Sequence, residues 1–261
     1  MNNLDLNIIK KILIDAAKNE LLPRYEKVCR EHKMDGSLVT EADLSVQNFI
    51  EKSLLAAFPH SVVLGEEMLQ EQQSLLLNNN QAVWCLDPID GTSNFAFGIP
   101  YFAISLALIE NGKVTLGIVY DPIRKEMFVA IEGQAELNNK PIQLTSSNLE
   151  LRQATAIIDF KRLTKKLATK IVSNTPFSSQ RNFGASALDW CWLALGRGHV
   201  YLHGSQNIWD YAAGHFIFEQ CGGLSQTLDG ESLFKYKLEK RSVVAAVDLN
   251  LFKQWSSWII Q

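Results

Sequence analysis

Acidic side chains at the ends of apolar runs are the residues in this chain most able to do chemistry. "WCLDPIDGTSNF", residues 84–95, closes an apolar run with Asp87 and Asp90, with Pro88 between them and Gly91-Thr92 after them. Glu66 and Glu67 follow the run "VVLG". Asp210 follows "NIW", and Asp43 stands three residues after Thr40. Each has an ordinary structural reading. Thr40 and Asp43 have capping-box spacing. Asp90 and Asp210 suit helix N-caps, and Glu66-Glu67 suits a solvated turn. These readings do not exclude ligation, because an aspartate can cap a helix and hold a metal. Two carboxylates ~4 Å apart repel by roughly 4 kcal/mol at an effective dielectric near 20. Four or five in one cleft would need cations. Oxygen ligands with no His or Cys beside them point to Mg²⁺, Mn²⁺ or Ca²⁺ rather than zinc. Spacing alone does not bring them together, since Asp90 and Asp210 are 120 residues apart.

Gly91 and Thr92 add a second element. If a helix starts there, its free N–H groups face the same cleft and can take an anion. The Thr92 hydroxyl could orient a water. Metal with phosphate suggests phosphoryl transfer or hydrolysis. The chain contains neither G-x-x-x-x-G-K-[ST] nor G-x-G-x-x-G, so nucleotide folds of those kinds are not indicated.

The elements that must position these residues are legible in outline. Leu6, Ile9, Leu13, Ala16 and Ala17 recur at helical spacing and predict a first helix ending near Pro23. "KMDGSLV" reads as a loop or hairpin, since Asp35-Gly36 is a turn pair. A second helix begins at Thr40 and stops before Pro59. "SVVLGEE" and "AVWCLDP" are buried strands. The Gln- and Asn-rich "LQEQQSLLLNNNQ" between them is expected as a surface excursion. Residues 101–145 read as an antiparallel meander. Beyond them strands and helices alternate: "ATAIID", "KRLTKKLATKIV", "FSSQRNFG", "SALDWCWLALG", "HVYLHG", "DYAAGHFIFEQ", "SVVAAV" and "NLFKQWSSWII". The expectation is an α/β (α+β) fold, with a first half, residues 1–147, rich in antiparallel sheet. A second half, residues 148–261, forms a sheet covered by helices, and the two make one continuous body.

Composition sets the limits. The chain has 261 residues, 47% of them hydrophobic, and a net charge of −3. That balance gives no reason to expect nucleic acid or an acidic membrane as the main partner. Cys29, Cys85, Cys191 and Cys221 have no C-x-x-C spacing and are expected as free thiols. The N-terminus lacks a signal peptide's basic start and long apolar centre. The longest apolar stretch, "YFAISLALI", is far short of a spanning helix. A soluble cytoplasmic protein is expected.

The motifs together resemble the inositol monophosphatase superfamily. "WCLDPIDGTSNF" is similar to its D-P-[IL]-D-G-T-x-N-F signature, "VVLGEE" to its G-E-E element, "IWDYAAG" to its W-D-x-A-[AG]-[AG] element, and "KMDGSLVTEAD" to its K-x-D-G-S-x-V-T-x-A-D element. They occur in the family's order and span nearly the whole chain. The resemblance implies a layered αβαβα sandwich of the sugar-phosphatase type. It also implies Mg²⁺-dependent hydrolysis of a small phosphomonoester, with two or three ions per site. Mn²⁺ would substitute, and Ca²⁺ and Li⁺ would inhibit. By motif position, Glu66, Asp87 and the Ile89 carbonyl would hold one ion, and Asp87, Asp90 and Asp210 a second, with a third, weaker one near Glu66. Asp43, Thr92 and Glu66 would be catalytic, with Thr92 and Asp43 handling the attacking water. Asp90 and the N–H groups of Gly91 and Thr92 would contact substrate. Lys33 and Glu67 would stand behind the ligands. Gly184, Ala185 and Ser186, in "RNFGASALD", would meet the leaving group. Two departures bear on substrate. Inositol-preferring relatives carry Glu seven residues before the W-D aspartate, where this chain has His203, which can still bond a substrate hydroxyl and is expected to contact the substrate. Ala185 replaces a common hydroxyl residue. The resemblance ranks a polyol or sugar monophosphate first. Histidinol phosphate and a 3′(2′),5′-bisphosphate nucleotide follow, and a role as binding partner of the transcription machinery is the non-enzymatic alternative. A homodimer is the family habit.

Overall fold

The computed structural model describes residues 3–25, 30–32, 38–77 and 81–260. Helix α1 (Asn3–Ala16) tightens through a π-turn and a 3₁₀ turn that ends at Arg24, next to Pro23. β1 (Arg30–His32) and β2 (Leu38–Thr40) pair antiparallel, as a hairpin requires. The expected Asp35-Gly36 turn, Lys33 and Cys29 lie outside the described residues. Then come α2 (Glu41–Ala57), β3 (Ser61–Gly65), α3 (Gln70–Leu77), β4 (Ala82–Asp90) and the single turn α4 (Thr92–Ala96). The meander follows: β5 (Ala103–Glu110), β6 (Lys113–Asp121), β7 (Glu126–Ile131), β8 (Gln134–Leu137) and β9 (Lys140–Pro141). The remainder is β10 (Thr155–Asp159), α5 (Lys165–Ser173), β11 (Ser179–Arg181), α6 (Ser186–Ala194), β12 (Val200–Gln206), α7 (Ile208–Gln220), β13 (Leu224–Gln226), β14 (Arg241–Ala246) and α8 (Leu249–Ile260).

Two sheets result. The larger runs β3-β4-β5-β6-β7-β8-β9, antiparallel except for the parallel β3–β4 pair joined through α3. The smaller runs β11-β10-β12-β14-β13 and is mixed. The side chains of β4 show why layers are needed. Trp84 and Leu86 alternate with Val83 and Cys85, and all four are buried, so both faces of the strand are covered. Trp84 and Leu86 pack with Ile9 and Leu13 of α1 and Val46 and Ile50 of α2. Val83 and Cys85 belong to the core beneath α6 and α7. Tyr211, Ala213, Ile217 and Phe218 of α7 are all buried, so this helix is apolar around most of its circumference. Such a helix belongs between two sheets. It packs on β4, β5, β6 and β7 on one side and on β13 on another. α8 covers β14 and β12. The order is helix, sheet, helix, sheet, helix, an αβαβα sandwich.

The structure adds two elements. Residues 70–77, expected as a surface excursion, lie mostly exposed and form α3. Gln and Leu are good helix formers, and the amide of buried Gln73 donates to the carbonyls of Gly65 at 2.9 Å and Glu66 at 3.3 Å, which holds the end of β3. The strand β13 was not anticipated. It is three residues long, too short to display periodicity.

Candidate active site

Asp87 and Asp90 should not share a side of a regular strand, because residues three apart point to opposite faces. β4 solves this with a bulge. Asp87 pairs with Ser105 and Asp90 with Ala103, so three steps on β4 face two on β5. One extra residue reverses the alternation, and bulges re-aim side chains this way. Pro88 sits inside the bulge, where its missing N–H breaks no ladder bond. The Ile89 N–H donates to Asp87 Oδ1 at 3.1 Å. β4 therefore continues through Pro88 to Asp90; the strand does not stop at the proline.

Asp90 is not the N-cap of α4; that position is Gly91, at φ 91°. A Cβ at Gly91 would lie 3.0 Å from the Ala185 Cβ and 3.1 Å from the Tyr101 carbonyl oxygen, so the turn needs glycine twice over. Asp90 instead accepts from the N–H groups of Ser186 at 3.1 Å and Ala187 at 2.6 Å. It caps α6, nearly a hundred residues away, where the helix's own N-cap, Ala185, has no oxygen to offer. Asp210 likewise does not open its helix. Asn207 is the N-cap of α7, and Asp210 closes a capping box with it, accepting from the Asn207 N–H at 2.8 Å.

Glu66 follows β3, and its N–H donates to the Leu86 carbonyl at 3.1 Å. The Glu67 N–H donates to Gln47 Oε1 at 3.0 Å. A Cβ on Gly65 would strike that same amide, 2.3 Å from its oxygen. Asp43 is buried in the first turn of α2. Its Oδ1 stands 3.2 Å from Thr92 Oγ1, which is also 3.0 Å from the Ile89 carbonyl oxygen. One hydroxyl proton serves two acceptors. A Thr40–Asp43 capping box falls on a side chain outside the description.

These elements meet in a polar cleft of about 180 Å³ whose walls include Glu66, Asp87, Ile89, Asp90, Thr92 and Asp210. Gly91, Gly184, Ala185, Ser186 and His203 line it as well; Glu67 does not, and Asp43 reaches it only through the Thr92 hydroxyl. Several lining residues were not singled out from the sequence: Asp159, Arg162, Asp189 and Lys240. Asp189 ends the segment "RNFGASALD"; the other three sit in no motif, and only the stacking of the sheets carries them to the cleft. His203 is buried, with its Nε2 3.4 Å from Asp159 Oδ2 and its Nδ1 accepting from the Ser205 N–H at 3.2 Å. Asn94 ties the two halves together, donating to the carbonyls of Tyr101 and Phe183, each at 2.7 Å.

The cleft is electrostatically unfavourable as a set of bare carboxylates. Burial holds Asp87 well above the usual carboxylate range, and the charges of Glu66, Asp90, Asp210 and Asp43 push the same way. Asp90 is raised by burial and Asp210, against the N–H groups of Ala187 and Ser186. Asp210 is pushed up to about 7 by burial and Glu66, against the Asn207 N–H, Arg162 and Lys240. Asp189 rises to about 8 through burial, against the Tyr101 hydroxyl 3.0 Å away. Among the described residues, no three His, Cys, Asp or Glu side chains are arranged to hold an ion as they stand. The donors themselves fit a hard cation: carboxylates and one carbonyl, on rigid strand and helix ends, with the charge problem a divalent ion removes.

Comparison with known proteins bears on this geometry. A family description, "Inositol monophosphatase family", matches residues 5–259. The chain belongs to the inositol monophosphatase family. An "Inositol monophosphatase 1" of Solanum lycopersicum is 35% identical over 82% of this chain and 82% of its own length. An "Inositol-1-monophosphatase" of Bacillus subtilis is 30% identical over 91% and 90%. A "Nus factor SuhB" of Xylella fastidiosa is 31% identical over 81% and 79%. Among solved structures of the family, the Thermotoga maritima IMPase superposes with a TM-score of 0.83 at 28% identity, covering 99% of this chain and 97% of that one. The family's layered fold is therefore the fold of this chain.

Proposed function

We propose that this chain is a Mg²⁺-dependent phosphomonoesterase acting on a small polyol or sugar monophosphate. The observation that carries the reading is one cleft joining Glu66, Asp87, Asp90 and Asp210 to the hydrogen-bonded Asp43–Thr92 pair. Relatives named inositol monophosphatases support it. Glu66, Asp87, the Ile89 carbonyl, Asp90 and Asp210 would hold the ions. Bound divalent ions lower the pKa of water and offset charge on the leaving oxygen. The protein's own part is positioning, which suits the loose transition state of phosphoryl transfer. Thr92 Oγ1 would accept a hydrogen bond from the attacking water and donate its own proton toward Asp43, so that the proton the water releases would pass through the Thr92 hydroxyl to the Asp43 carboxylate. Gly91 admits a phosphate oxygen to the backbone N–H groups of Gly91 and Thr92. Gly184, Ala185 and Ser186 border the leaving alcohol.

The test is phosphate release from inositol 1-phosphate, histidinol phosphate, adenosine 3′,5′-bisphosphate and fructose 1,6-bisphosphate. Turnover is expected in Mg²⁺ with inositol 1-phosphate favoured, inhibited by Li⁺ and absent in EDTA. A folded chain that releases no phosphate from any of them in Mg²⁺ overturns the proposal.

A further inference from the structure

We propose that Asp159 is the residue that accepts a hydrogen bond from a hydroxyl of the polyol leaving group, and that His203 positions it. The proposal rests on the phosphatase reading and names the specificity residue of that same cleft. His203, on β12, has no free acceptor to offer a substrate hydroxyl. Its Nδ1 takes the Ser205 N–H at 3.2 Å. A neutral imidazole whose Nδ1 accepts carries its proton on Nε2. That Nε2 stands 3.4 Å from Asp159 Oδ2. Both ring nitrogens are thus engaged inside the protein, and the side chain is only 6% exposed.

A carboxylate stands one strand over. β10 and β12 run parallel with Asp159 directly beside His203, so both side chains leave the same face of the small sheet. Both line the cleft. The Asp159 side chain is 21% exposed, more than three times as open as its neighbour. Its Oδ1 accepts from the Lys161 N–H at 2.9 Å and its Oδ2 faces His203, which leaves each oxygen a further lone pair. Burial disfavours the charge, but the hydrogen bond from His203, the Lys161 N–H and Arg162 outweigh it and hold the carboxyl below its ordinary value. An ionised carboxylate, fixed on two sides and open on the third, is an acceptor for an alcohol hydroxyl. Neighbouring Gly204 keeps this corner tight: a Cβ there would lie 1.8 Å from the Arg162 carbonyl oxygen.

Asp159 also caps the 3₁₀ turn of residues 160–162. Asp159→Asn separates the two roles, because asparagine caps as well as aspartate but brings no charge to the cleft. The readout is the ratio of kcat/KM for inositol 1-phosphate to that for cyclohexyl phosphate, a ring of the same size without hydroxyls. A hydrogen bond to a charged group is worth enough that Asp159→Asn lowers this ratio about 10- to 100-fold. His203→Gln keeps a donor near Nε2 and holds the ratio near wild type, whereas His203→Phe lowers it. A wild-type ratio near one, or an Asp159→Asn variant that slows both esters equally, overturns the assignment of Asp159. Equal ratios for His203→Gln and His203→Phe overturn the positioning role of His203. A wild-type chain that hydrolyses neither ester in Mg²⁺ overturns the phosphatase reading, and this subsite with it.

Discussion

Asp90 carries two tasks. Its Oδ1 accepts from the Ser186 N–H and its Oδ2 from the Ala187 N–H at the start of α6, and the same carboxylate lines the cleft with Asp87 and Asp210. Asp90→Asn keeps one of the two acceptors for the helix and loses the charge. Turnover is expected to fall about 100-fold or more, the scale of removing one group that stabilises transition-state charge, while the circular dichroism spectrum is unchanged. A variant of near-wild-type activity would remove Asp90 from the ion site. Asp189 gives a separate, pH-dependent prediction. Its folded-state value is about 8 against an ordinary 3.8. The stability it contributes is fully present below about pH 4 and is lost as pH rises through 8, because the folded chain holds the proton longer than the unfolded one. Asp189→Asn keeps an oxygen for the Tyr101 hydroxyl and does not titrate. Its melting temperature, relative to wild type, is expected to climb steadily between pH 5 and pH 9. A constant difference across that range would mean that Asp189 is ionised throughout.

Elements set the site's precision through close approaches and capped ends. β6 and α7 touch at Gly117, where a Cβ would lie 2.7 Å from the Ala213 carbonyl oxygen. Backbone cannot rotate away, so Gly117→Ala must move α7, and Asp210 with it. Overpacking of this kind costs about 1–3 kcal/mol, a drop of several degrees in melting temperature at this size. Turnover is expected to fall with it, measured well below the new midpoint so that unfolding is not the cause. An active variant of unchanged stability would mean that the contact has slack. The bulge in β4 is the second device at this scale. D-P-I-D announces a bend, but only the ladder with β5 shows that the strand runs through it. The capping assignments for Asp90 and Asp210 went astray for different reasons. A cap is recognised in sequence by its own following helix, and Asp90 caps a helix from the other half of the chain, whereas Asp210 serves its own helix from the third position, behind the cap Asn207.

At the scale of the whole molecule, the cleft lies where the edge of the large sheet, the middle helices and the small sheet meet. Bringing Asp87, Asp90 and Asp210 together unneutralised opposes the packing of α7 on β4, so a divalent ion should stabilise the fold as well as the reaction. Mg²⁺ at about a hundred times its dissociation constant adds roughly 2.7 kcal/mol, about 5–10 °C in melting temperature. The shift is expected to be larger at pH 8 than at pH 6, because below about 7 Asp210 holds a proton that the ion must displace. A melting temperature indifferent to Mg²⁺ at both pH values would argue against an ion at these carboxylates. No described helix is long and apolar enough to cross a membrane.

Local physics made much of this readable from the amino acids. Apolar alternation wrote the strands of the meander, helical spacing wrote α1 and α2, and the order of the acidic motifs was enough to name a family. Those signals span a few residues each, and a linear chain preserves them. Tertiary structure alone decided which carboxylates share a cleft, that Asp90 caps α6, and that Asp159 stands beside His203. Each joins residues from separate elements, and side-chain spacing carries no information about partners that only sheet stacking brings together. The role of Gln73 in α3 was hidden for the same reason, since its amide bonds the carbonyls at the end of β3. Local motifs name the family, while the make-up of the cleft wall depends on how the small sheet lies against the large one.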